Sequence, residues 1–578
     1  MSRAHGRTMT YSPAARLMQR LFSAHQESAS SGVPVDHVLG AMDERDAVHR
    51  RSRELARERA AEAAETGDAV AFGGPNRRDL LRYGAATGAA VLGVGALSRM
   101  TPARAATAPR IAIVGGGLAG IRCAHMLWTG SSSKGPVAST VYEADTTHVG
   151  GRCWSLRGYF DGGLVGEHGG AFVNSNQKST LNLARALGLS TQIENGGDLP
   201  VGNQIYWFDG KPYTYDQANA DWSDIGYPVF SAAGKAAPWV QTYDSYTAAA
   251  RQIDQQTVPQ WLDSTGIGQA TLFGRLMMAN SVSEYGGDPS LQSALNLVYL
   301  LYKNSQNQLQ PMTGYDEKYH IVGGNDQLVS GMVAQLPAGA VQQGYQLVAL
   351  ARNSDGSYTL TFQQPGHGSP TTVVADHVVL ALPFTALQRV DFSQAGLSAF
   401  KTSVINTGVL GQNAKIHVEL SRKTWPALGY SGSAYSDWNS FCVAWDDSVP
   451  SGTDGAPAVL LGFPGGSTAQ HMLTGAAHGP APTADVNWFL RQIEPIYPGT
   501  TAAWTGKAYE DHWSVDPWHF GAYSYNKPGY YTSMFGYEHV QEGNVHFAGE
   551  HTSIQNQAFL EGGVTSGEEA ATEILGQI

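Results

Sequence analysis

The chain has 578 residues, too many for one simple core, so we expect two or three subdomains. A hydrophobic fraction of 42% together with 68 glycines is typical of a large globular α/β enzyme and excludes a disordered or fibrous protein. The formal net charge of −12 argues against nucleic-acid binding, which requires a basic surface, and weakly favours cationic small molecules.

The first hundred residues are predicted to precede the enzyme. An arginine pair in Asn76–Leu81 is followed by an uncharged run from Tyr83 to Ser98 and by small residues at Ala103–Ala105. This order predicts a twin-arginine signal peptide over residues 76–105 and an exported protein, secreted or held in the cell envelope. Because the apolar run is shorter than the roughly 20 residues that span a bilayer, we expect no stable membrane anchor.

Residues 1–75 are predicted to be an N-terminal extension, either helical or disordered. The stretch from Asp43 to Glu65 is rich in Ala, Arg and Glu, which predicts an exposed, charge-laced helix. Three explanations of the extension stay open: a long leader, a misassigned start codon, or a buried first helix of the domain.

The clearest motif is a Gly-X-Gly-X-X-Gly turn between a short strand and a helix. The β-branched run Arg110–Val114 predicts a buried strand, and Ile121–Trp128 predicts the helix. The glycines of such a turn permit the tight bend, the approach of a pyrophosphate and the packing of the helix on the strand. The helix N-terminus adds amide donors and the positive end of its dipole. The turn residues predicted to bind the phosphates are Gly115, Gly117, Leu118, Ala119 and Gly120.

The next segment favours FAD over NAD. A second strand ends at Glu143, 23 residues past Gly120, where a carboxylate takes the ribose hydroxyls of the adenosine, and Ala144 follows it. Gly151 and Arg152 come soon after and offer the pyrophosphate a second close backbone approach and a charged partner. The two signatures together are typical of FAD enzymes with this Rossmann variant.

The cysteines carry no chemistry in this prediction. Cys123, Cys153 and Cys442 are too few for a disulfide framework and lack metal-ligand spacing. We therefore expect all three to be buried as small apolar residues, and we predict no metal site.

From Gly150 onward the chain resembles the flavin amine oxidases, which include monoamine, polyamine and L-amino-acid oxidases. The last two blocks below are the most specific, because in the family that strand and helix N-terminus close over the flavin ring and pyrophosphate. The resembling blocks are Gly151–Arg152, Gly166–Val173, Leu187–Leu189, Tyr319–Leu328, Val378–Pro383, Asn544–Thr552 and Phe559–Val564. The resemblance implies bound FAD, an amine or amino-acid substrate, and O2.

The resemblance also implies further cofactor contacts, with a backbone amide near Leu560 facing flavin O2. These contacts are assigned to Gly169, Gly170, Ala171, Phe172, Val348, Gly549, Glu550, Phe559 and Leu560. Two histidines in these glycine-rich loops, His168 and His551, are expected to form loop hydrogen bonds rather than to catalyse.

Four residues match the family's reaction site. Lys415 matches a lysine that holds a water against flavin N5, where a positive charge favours transfer of negative charge into the flavin and the later reaction with oxygen. Tyr523 would form one wall of an aromatic cage for a neutral amine, and Phe559 the other. Trp513 begins the segment that leads to Tyr523. A strand-end surface lysine and a plain core tyrosine remain the alternatives for Lys415 and Tyr523.

Three departures from the family pattern refine the prediction. Phe559 stands where monoamine oxidases usually have a tyrosine, so the cage lacks that hydroxyl. Ala522 stands where vertebrate monoamine oxidases carry the cysteine that bonds the flavin, so we predict non-covalent FAD. The stretch Ala171–Asn174 lacks the arginine with which many L-amino-acid oxidases clamp a carboxylate, which modestly favours an amine.

The implied fold class is α/β, with a discontinuous Rossmann-type FAD-binding domain and a substrate domain of mixed sheet and helices. The active site should lie where the two meet. Within the substrate domain, Leu272–Leu301 is predicted to be largely helical and to line the substrate entrance. The FAD domain is assigned to residues 109–185, 318–375 and 519–578, and the substrate domain to 186–317 and 376–518.

The implied reaction is oxidative deamination of a primary or secondary amine to a carbonyl and ammonia or a smaller amine, with O2 reduced to H2O2. The first alternative is an L-amino-acid oxidase that forms a 2-oxo acid, ammonia and H2O2. A desaturase or porphyrinogen-type oxidase and a non-catalytic flavin-binding protein are further alternatives, and a homodimer is an open alternative for the assembly.

Overall fold

A computed structural model describes residues 108–130, 135–189, 193–195, 204–366, 368–448 and 457–578. The predicted signal peptide and the N-terminal extension, with its helix over Asp43–Glu65, lie outside these residues. No helix in the described ranges combines the length and the apolar character that crossing a membrane requires.

A five-stranded parallel sheet forms the centre of the FAD-binding part. Its middle strands are buried along their whole length, as expected when both faces of a parallel sheet are covered. In spatial order the strands are Val545–Phe547, His377–Leu380, Ile111–Val114, Thr140–Glu143 and Val341–Gln343. The predicted first and second strands are thus confirmed, and each pairs with its neighbours in parallel register.

Two helices pack closely together against this sheet. The helix Leu118–Thr129 follows the first strand, as predicted, and the helix Leu560–Gln577 ends the chain. A Cβ added to Gly567 would lie 2.4 Å from the Ala119 carbonyl oxygen, so this glycine allows the two backbones to approach. The contact joins a helix near the start of the described chain to the helix that ends it.

The assigned domain boundary at residue 376 is wrong. The strand His377–Leu380 pairs with Ile111–Val114, with Val378 opposite Ala112, and so belongs to the FAD-binding sheet. The strand Asp391–Gln394 pairs in turn with Gln346–Arg352. A buried, β-branched strand has the same sequence pattern in either domain. Only its pairing with a strand distant in the sequence shows to which domain it belongs.

A second, four-stranded sheet packs beside the first. Its strands, in spatial order, are Thr371–Ala375, Tyr358–Gln363, Gln346–Arg352 and Asp391–Gln394. The register shifts between Leu347 and Ala349, so Val348 lies at a bulge. Bulges of this kind often turn a strand towards a site.

The substrate part contains an eight-stranded mixed sheet. In spatial order its strands are His478–Pro480, Trp504–His512, Ala414–Leu420, Ala458–Phe463, Val443–Asp446, Ala434–Ser436, Ile205–Phe208 and Lys211–Tyr213. All neighbours run antiparallel except Ala434–Ser436 and Ile205–Phe208. Three two-stranded pairs join distant segments: Ser155–Leu156 with Gly166–Glu167, Ile193–Asn195 with Tyr319–Ile321, and Val409–Leu410 with Ser524–Tyr525.

The predicted helical stretch over Leu272–Leu301 consists of two helices, Leu272–Tyr285 and Ala294–Leu301. Gly286 ends the first one with φ of 70°, and a Cβ there would lie 1.8 Å from Asn413 Oδ1. The remaining helices are Lys178–Ala186, Tyr215–Asp221, Tyr227–Ala236, Ala248–Asp254, Val258–Ser264, Gln327–Val333, Phe384–Leu387, Ala399–Thr407, Gly466–Met472, Thr483–Ile493 and Thr500–Ala503. All three cysteines are buried and free, as predicted.

Candidate active site

The glycine-rich turn has the geometry of a phosphate site. Gly115 adopts φ of 104°, and a Cβ there would lie 2.5 Å from the Ala381 carbonyl oxygen, so only glycine fits. A Cβ at Gly120 would lie 2.0 Å from the Gly115 carbonyl oxygen. Gly117 caps the helix without a side-chain hydrogen bond, which leaves the first amides, those of Leu118 and Ala119 included, without intrahelical partners.

Gly117 differs from the other two glycines because nothing of the protein crowds it. A Cβ at Gly117 would have no atom nearer than 3.9 Å, and its nearest neighbours would be Gly150 and Gly151. Gly151 adopts φ of 60°, and a Cβ there would lie 3.2 Å from the Gly117 Cα. The two predicted close-approach positions therefore face each other across the turn.

The residues predicted to hold the adenosine ribose lie at the end of the second strand. Glu143 accepts hydrogen bonds from the amides of Gly116 at 2.7 Å and Asp145 at 2.8 Å, and Ala144 lies half-buried between Glu143 and Asp145. The amide of Tyr345 donates to the Glu143 carbonyl at 2.7 Å, which brings the strand that carries Val348 beside this strand end. Burial raises the pKa of Glu143, and the two amide hydrogen bonds oppose that shift.

Arg152 and Glu550 form the junction between the first and last blocks. Arg152 Nη1 lies 3.0 Å from Glu550 Oε1 and also donates to the Ala522 carbonyl. Burial disfavours the carboxylate of Glu550, but the charge of Arg152 and several hydrogen bonds hold its pKa below the usual range. Gly549, just before Glu550, adopts φ of 135° and donates its amide to Ser566 Oγ at 2.9 Å.

Glu550 also holds the two predicted cage walls. One of its oxygens accepts from the amide of Ser524, which follows Tyr523, at 3.1 Å. The other accepts from the amide of Ala558, which precedes Phe559, at 2.8 Å. One buried carboxylate thus positions both aromatic residues.

Each cage wall has a second contact that sequence analysis missed. Tyr523 Oη donates to the Ser283 carbonyl at 2.5 Å, near the end of the helix Leu272–Tyr285. Phe559 stacks on Tyr315, with ring centroids 4.8 Å apart and planes 4° from parallel. The stacked pair extends the aromatic surface beyond the residues that the family resemblance suggested.

The glycine-rich loop Gly166–Val173 is held from both sides. Asn325 Nδ2 donates to the carbonyls of Gly170 at 2.9 Å and Ala171 at 2.8 Å. A Cβ at Gly169 would lie 1.8 Å from the Arg152 carbonyl oxygen. The ring of Phe172 lies near that of Trp445 in the substrate sheet, with ring centroids 6.2 Å apart. These contacts fix the backbone conformation of the loop between the FAD-binding part and the substrate part.

Lys415 joins the substrate sheet to this loop. Its side chain is buried, and Nζ donates to the carbonyls of Glu167 and Gly169, each at 2.7 Å. Burial lowers the pKa of Lys415, and the carboxylates of Asp447, Asp511 and Glu167 oppose that shift. The alternative of a surface lysine is excluded, because only 5% of the residue is exposed.

A buried network of histidines and carboxylates connects the glycine-rich loop to the eight-stranded sheet. His168 and His478 both donate from Nδ1 to Asp511 Oδ1, at 2.6 and 2.7 Å. His478 Nε2 donates to Asp516 Oδ2 at 3.1 Å, and His417 Nε2 lies 3.3 Å from Asp511 Oδ2. Burial opposes ionisation of Asp511, yet the surrounding imidazoles hold its pKa well below the usual range.

His168 in the glycine-rich loop forms a hydrogen bond, as expected, and its partner is Asp511. Neither ring nitrogen of His551 has a hydrogen-bond partner among the described residues, so the same expectation is not met there. His168, His478 and Asp511 place potential metal-ligand atoms within 4.8 Å of one another. The Nδ1 atoms of His168 and His478 both lie at hydrogen-bond distance from Asp511 Oδ1. Two N–H donors to one carboxylate oxygen therefore explain why these three groups lie so close together. His551 is buried against Phe384, and burial lowers its pKa to about 4, so its ring is neutral near pH 7.

Trp513 lies behind the loop. It is 3% exposed, and its indole nitrogen donates to the His168 carbonyl at 2.9 Å. Its ring packs against His478 and His519. These contacts give Trp513 a supporting position, and a direct part in the reaction stays a prediction.

The network has a testable pH dependence. Burial disfavours the charged form of His478, but Asp511 and Asp516 raise its pKa from 6.5 to about 9. The stability that His478 contributes is therefore complete below about pH 6.5 and is lost as pH rises through about 9. We expect His478→Gln to lower the urea midpoint at about pH 6 but to differ less from the wild type at about pH 10. His471→Gln, at an exposed position of the helix Gly466–Met472, is the control. A pH-independent difference for His478→Gln would contradict the assignment.

The C-terminal helix supplies the last contacts. Leu560 is its first residue, and Phe559 caps it without a side-chain hydrogen bond, which leaves the first amides of the helix available. Glu561 accepts from the amides of Ser179 and Thr180 at 2.9 and 2.7 Å and so caps the helix Lys178–Ala186. The segment Phe559–Val564 therefore contributes the wall residue Phe559 to the site and also stabilises the helix Lys178–Ala186.

These observations fit a dinucleotide cofactor. The open space at Gly117 lies at a helix N-terminus with unpartnered amides, which suits a pyrophosphate. Gly151 approaches the same turn at Gly117, and Arg152, the next residue, is bound to Glu550.

Comparison with known proteins identifies the family. The model of the family described as "Flavin containing amine oxidoreductase" matches residues 118–575. The chain belongs to this family. Human amine oxidase [flavin-containing] B is 25% identical over 490 residues, which covers 80% of this chain and 86% of that protein. A pseudooxynicotine dehydrogenase from a Pseudomonas species is 23% identical over 533 residues, covering 89% and 98%.

The fold is shared with solved amine oxidases. Cyclohexylamine oxidase from Brevibacterium oxydans IH-35A superimposes with a TM-score of 0.68 and 21% identity, over 82% of this chain and 99% of that one. Wild-type putrescine oxidase bound to putrescine has a TM-score of 0.63 and 21% identity, over 81% and 99%. As a member of the family, the chain is an FAD-dependent amine oxidoreductase. It shares with these structures a Rossmann-type FAD domain and a substrate domain.

Proposed function

We propose that this amine oxidase converts a primary or secondary amine to a carbonyl compound, releases ammonia or a smaller amine, and reduces O2 to H2O2. The observation that carries the proposal is the pair of aromatic walls held by Glu550. Tyr523 directly precedes Ser524, and Phe559 directly follows Ala558, the two residues whose amides donate to this carboxylate. Aromatic faces of this kind accept an uncharged amine and its hydrocarbon chain.

The chain's own residues position the reaction. Bound FAD supplies the electron acceptor. Lys415 holds a buried positive charge at the glycine-rich loop, where it stabilises negative charge that develops during electron transfer. The ion pair of Arg152 with Glu550 joins the segment after the second strand to the segment that begins at Gly549.

The L-amino-acid oxidase alternative is less well supported. An amino acid requires a cation for its carboxylate, and residues 171–174 read Ala-Phe-Val-Asn, without an arginine. A peroxide-coupled assay of the purified holoenzyme with panels of amines and L-amino acids separates the two reactions. Peroxide formation with amines supports the proposal. Peroxide formation with amino acids alone would replace it by the alternative.

We also propose that FAD is held without a covalent bond. Ala522 stands at the position of the flavin-bonding cysteine, and its methyl side chain has no nucleophile that could bond the flavin. Acid precipitation of the holoenzyme should therefore leave FAD in the supernatant. Flavin that remains with the precipitated protein would contradict this assignment.

Export through the twin-arginine route is a further proposal. It is supported by the arginine pair at residues 77–78, the apolar run and the small residues before Thr107. Expression in a bacterial host should place activity outside the cytoplasm, and the variant Arg77→Lys with Arg78→Lys should retain it inside. Equal distribution of the two forms would refute the proposal.

A further inference from the structure

A histidine without a role so far, His519, lies beside the glycine-rich turn. A Cβ placed on Gly151 would lie 3.6 Å from His519 Nε2 and 3.2 Å from the Gly117 Cα. The gap between Gly117 and His519 is therefore no wider than the sum of these two distances, and it is open because Gly151 has no side chain. A phosphate whose oxygens accept hydrogen bonds of about 2.8 Å fits a gap of this size.

Asp516 fixes the orientation of the His519 ring. Its Oδ1 accepts from the amides of Trp518 at 2.8 Å and His519 at 2.9 Å, and lies 2.7 Å from His519 Nδ1. Burial opposes ionisation of Asp516, but hydrogen bonds from His478 and His519 hold its pKa well below the usual range. Because this carboxylate is ionised, His519 Nδ1 donates to it, and Nε2 is the ring nitrogen left for a ligand.

The backbone and the ring face of His519 are held as well. Thr385 Oγ1 donates to the His519 carbonyl at 2.8 Å, from the helix Phe384–Leu387 that follows a strand of the FAD-binding sheet. The indole of Trp513 packs edge-on against the imidazole, with ring centroids 5.0 Å apart. The ring is therefore oriented before a ligand binds, so that binding through Nε2 costs little conformational entropy.

The glycine-rich turn has room for a further positive partner of the cofactor. The pyrophosphate of FAD is a dianion, and the positive end of the helix dipole offsets only about half of one charge. Arg152 shares its charge with Glu550, whose Oε1 lies 3.0 Å from Arg152 Nη1. His519 Nε2 has no hydrogen-bond partner among the described residues, and 15% of the side chain is exposed. A free ring nitrogen thus lies where a negatively charged group is expected.

The predicted ribose carboxylate gives a second indication of where His519 lies. Burial raises the pKa of Glu143, and hydrogen bonds from the amides of Asp145 and Gly116 and the charge of His519 oppose that shift. Glu143 itself binds the amide of Gly116, within the turn. His519 is therefore close to both ends of the predicted nucleotide site, the phosphate turn and the ribose carboxylate.

We propose that His519, as an imidazolium paired with Asp516, donates from Nε2 to a pyrophosphate oxygen of FAD and so completes the cofactor site. A ring whose Nδ1–H is bound to a carboxylate donates from Nε2 only in the charged form. The carboxylate on one ring nitrogen and the pyrophosphate on the other both stabilise that form. The inference concerns the cofactor and not the amine, so it stands or falls independently of the proposed reaction.

The test measures how tightly the purified holoenzyme retains FAD. Serial dilution, with the fluorescence of released FAD as the readout, gives the dissociation constant. We expect His519→Gln to raise this constant about tenfold or more, because a charge-assisted hydrogen bond is lost. His519→Lys, which restores a positive charge, should stay within about threefold of the wild type. His471→Gln, at an exposed position, is the control and should leave the constant unchanged.

A second readout distinguishes contact with the pyrophosphate from a general loss of structure. In ³¹P NMR spectra of the holoenzyme, His519→Gln should shift the pyrophosphate resonances of bound FAD. His478→Gln, which removes another hydrogen bond to Asp516, should leave them near their wild-type positions. The proposal requires both weaker retention and shifted resonances in His519→Gln, and the absence of either would overturn it.

The lysine variant keeps the test decisive. Equal losses of FAD in His519→Gln and His519→Lys, or equal ³¹P shifts in His478→Gln, would show a structural role and would also overturn the proposal. If His519→Gln does not fold, His519→Lys is compared with the wild type alone. A folded His519→Lys protein that loses FAD about tenfold more readily would then contradict the assignment, and retention within about threefold would support it.

Discussion

Replacing Lys415 by methionine is expected to slow the reaction of the reduced enzyme with O2 about 100-fold, with a much smaller loss of FAD binding. The ammonium is buried and held by two carbonyls of the glycine-rich loop, so its charge acts in a poorly screened environment. Methionine preserves the length and apolar stem of the side chain and removes the charge. Stopped-flow mixing of the reduced enzyme with oxygenated buffer measures the rate.

A second buried lysine serves as the control. It distinguishes the effect of removing the charge at the site from the loss of stability that removal of any buried lysine causes. Lys401 is also buried, and its Nζ donates to the carbonyls of Tyr537 at 2.7 Å and Glu538 at 3.0 Å, outside the loop. Lys401→Met should therefore leave the oxygen rate unchanged even if it lowers stability. Unchanged oxygen kinetics in Lys415→Met would remove the role assigned to this lysine.

Gly117→Val is expected to abolish FAD binding while the protein still folds. The backbone of Gly117 has φ of −71°, which any residue adopts, and a Cβ there would meet no protein atom nearer than 3.9 Å. The added side chain therefore occupies the space that the pyrophosphate needs. We expect FAD affinity to fall about 100-fold or more, which corresponds to about 2.7 kcal/mol.

The control for this variant is Gly368→Val, at an exposed position with nothing within 4 Å of the added Cβ. Circular dichroism tests the fold of both variants, and the ratio of visible to ultraviolet absorbance reports FAD loading. A folded Gly117→Val protein with normal FAD content would place the pyrophosphate elsewhere. Loss of folding would instead show that the turn supports the sheet directly.

The nucleotide turn was predictable because its determinants are local. The strand, the glycines and the helix from Ile111 to Thr129 follow one another in the chain, and each has a steric reason that a single sequence reveals. Glu143, the carboxylate predicted to bind the ribose, ends the next strand. The family resemblance then extended the prediction to Tyr523 and Phe559, which Glu550 holds.

The remaining features depend on contacts between distant segments. The strand His377–Leu380 was recognised as buried but assigned to the wrong domain, because its partner lies more than 250 residues earlier. Tyr315 had no local signal that it stacks on Phe559.

The histidine network could not have been predicted from spacing. Asp511 contacts His168 in a loop and His417 and His478 on two strands, and Asp516 binds His478 in turn. Each residue alone is compatible with a surface position. Their burial becomes meaningful only when the eight-stranded sheet brings them together behind the glycine-rich loop.

The most direct test is anaerobic titration of the purified holoenzyme with 1,5-diaminopentane and with n-hexylamine, followed by admission of air. If the account is correct, an amine removes the visible absorbance of oxidised FAD, and air restores it with formation of H2O2. Holoenzyme whose FAD is reduced by dithionite but by no amine would contradict the assignment of this site to amine oxidation.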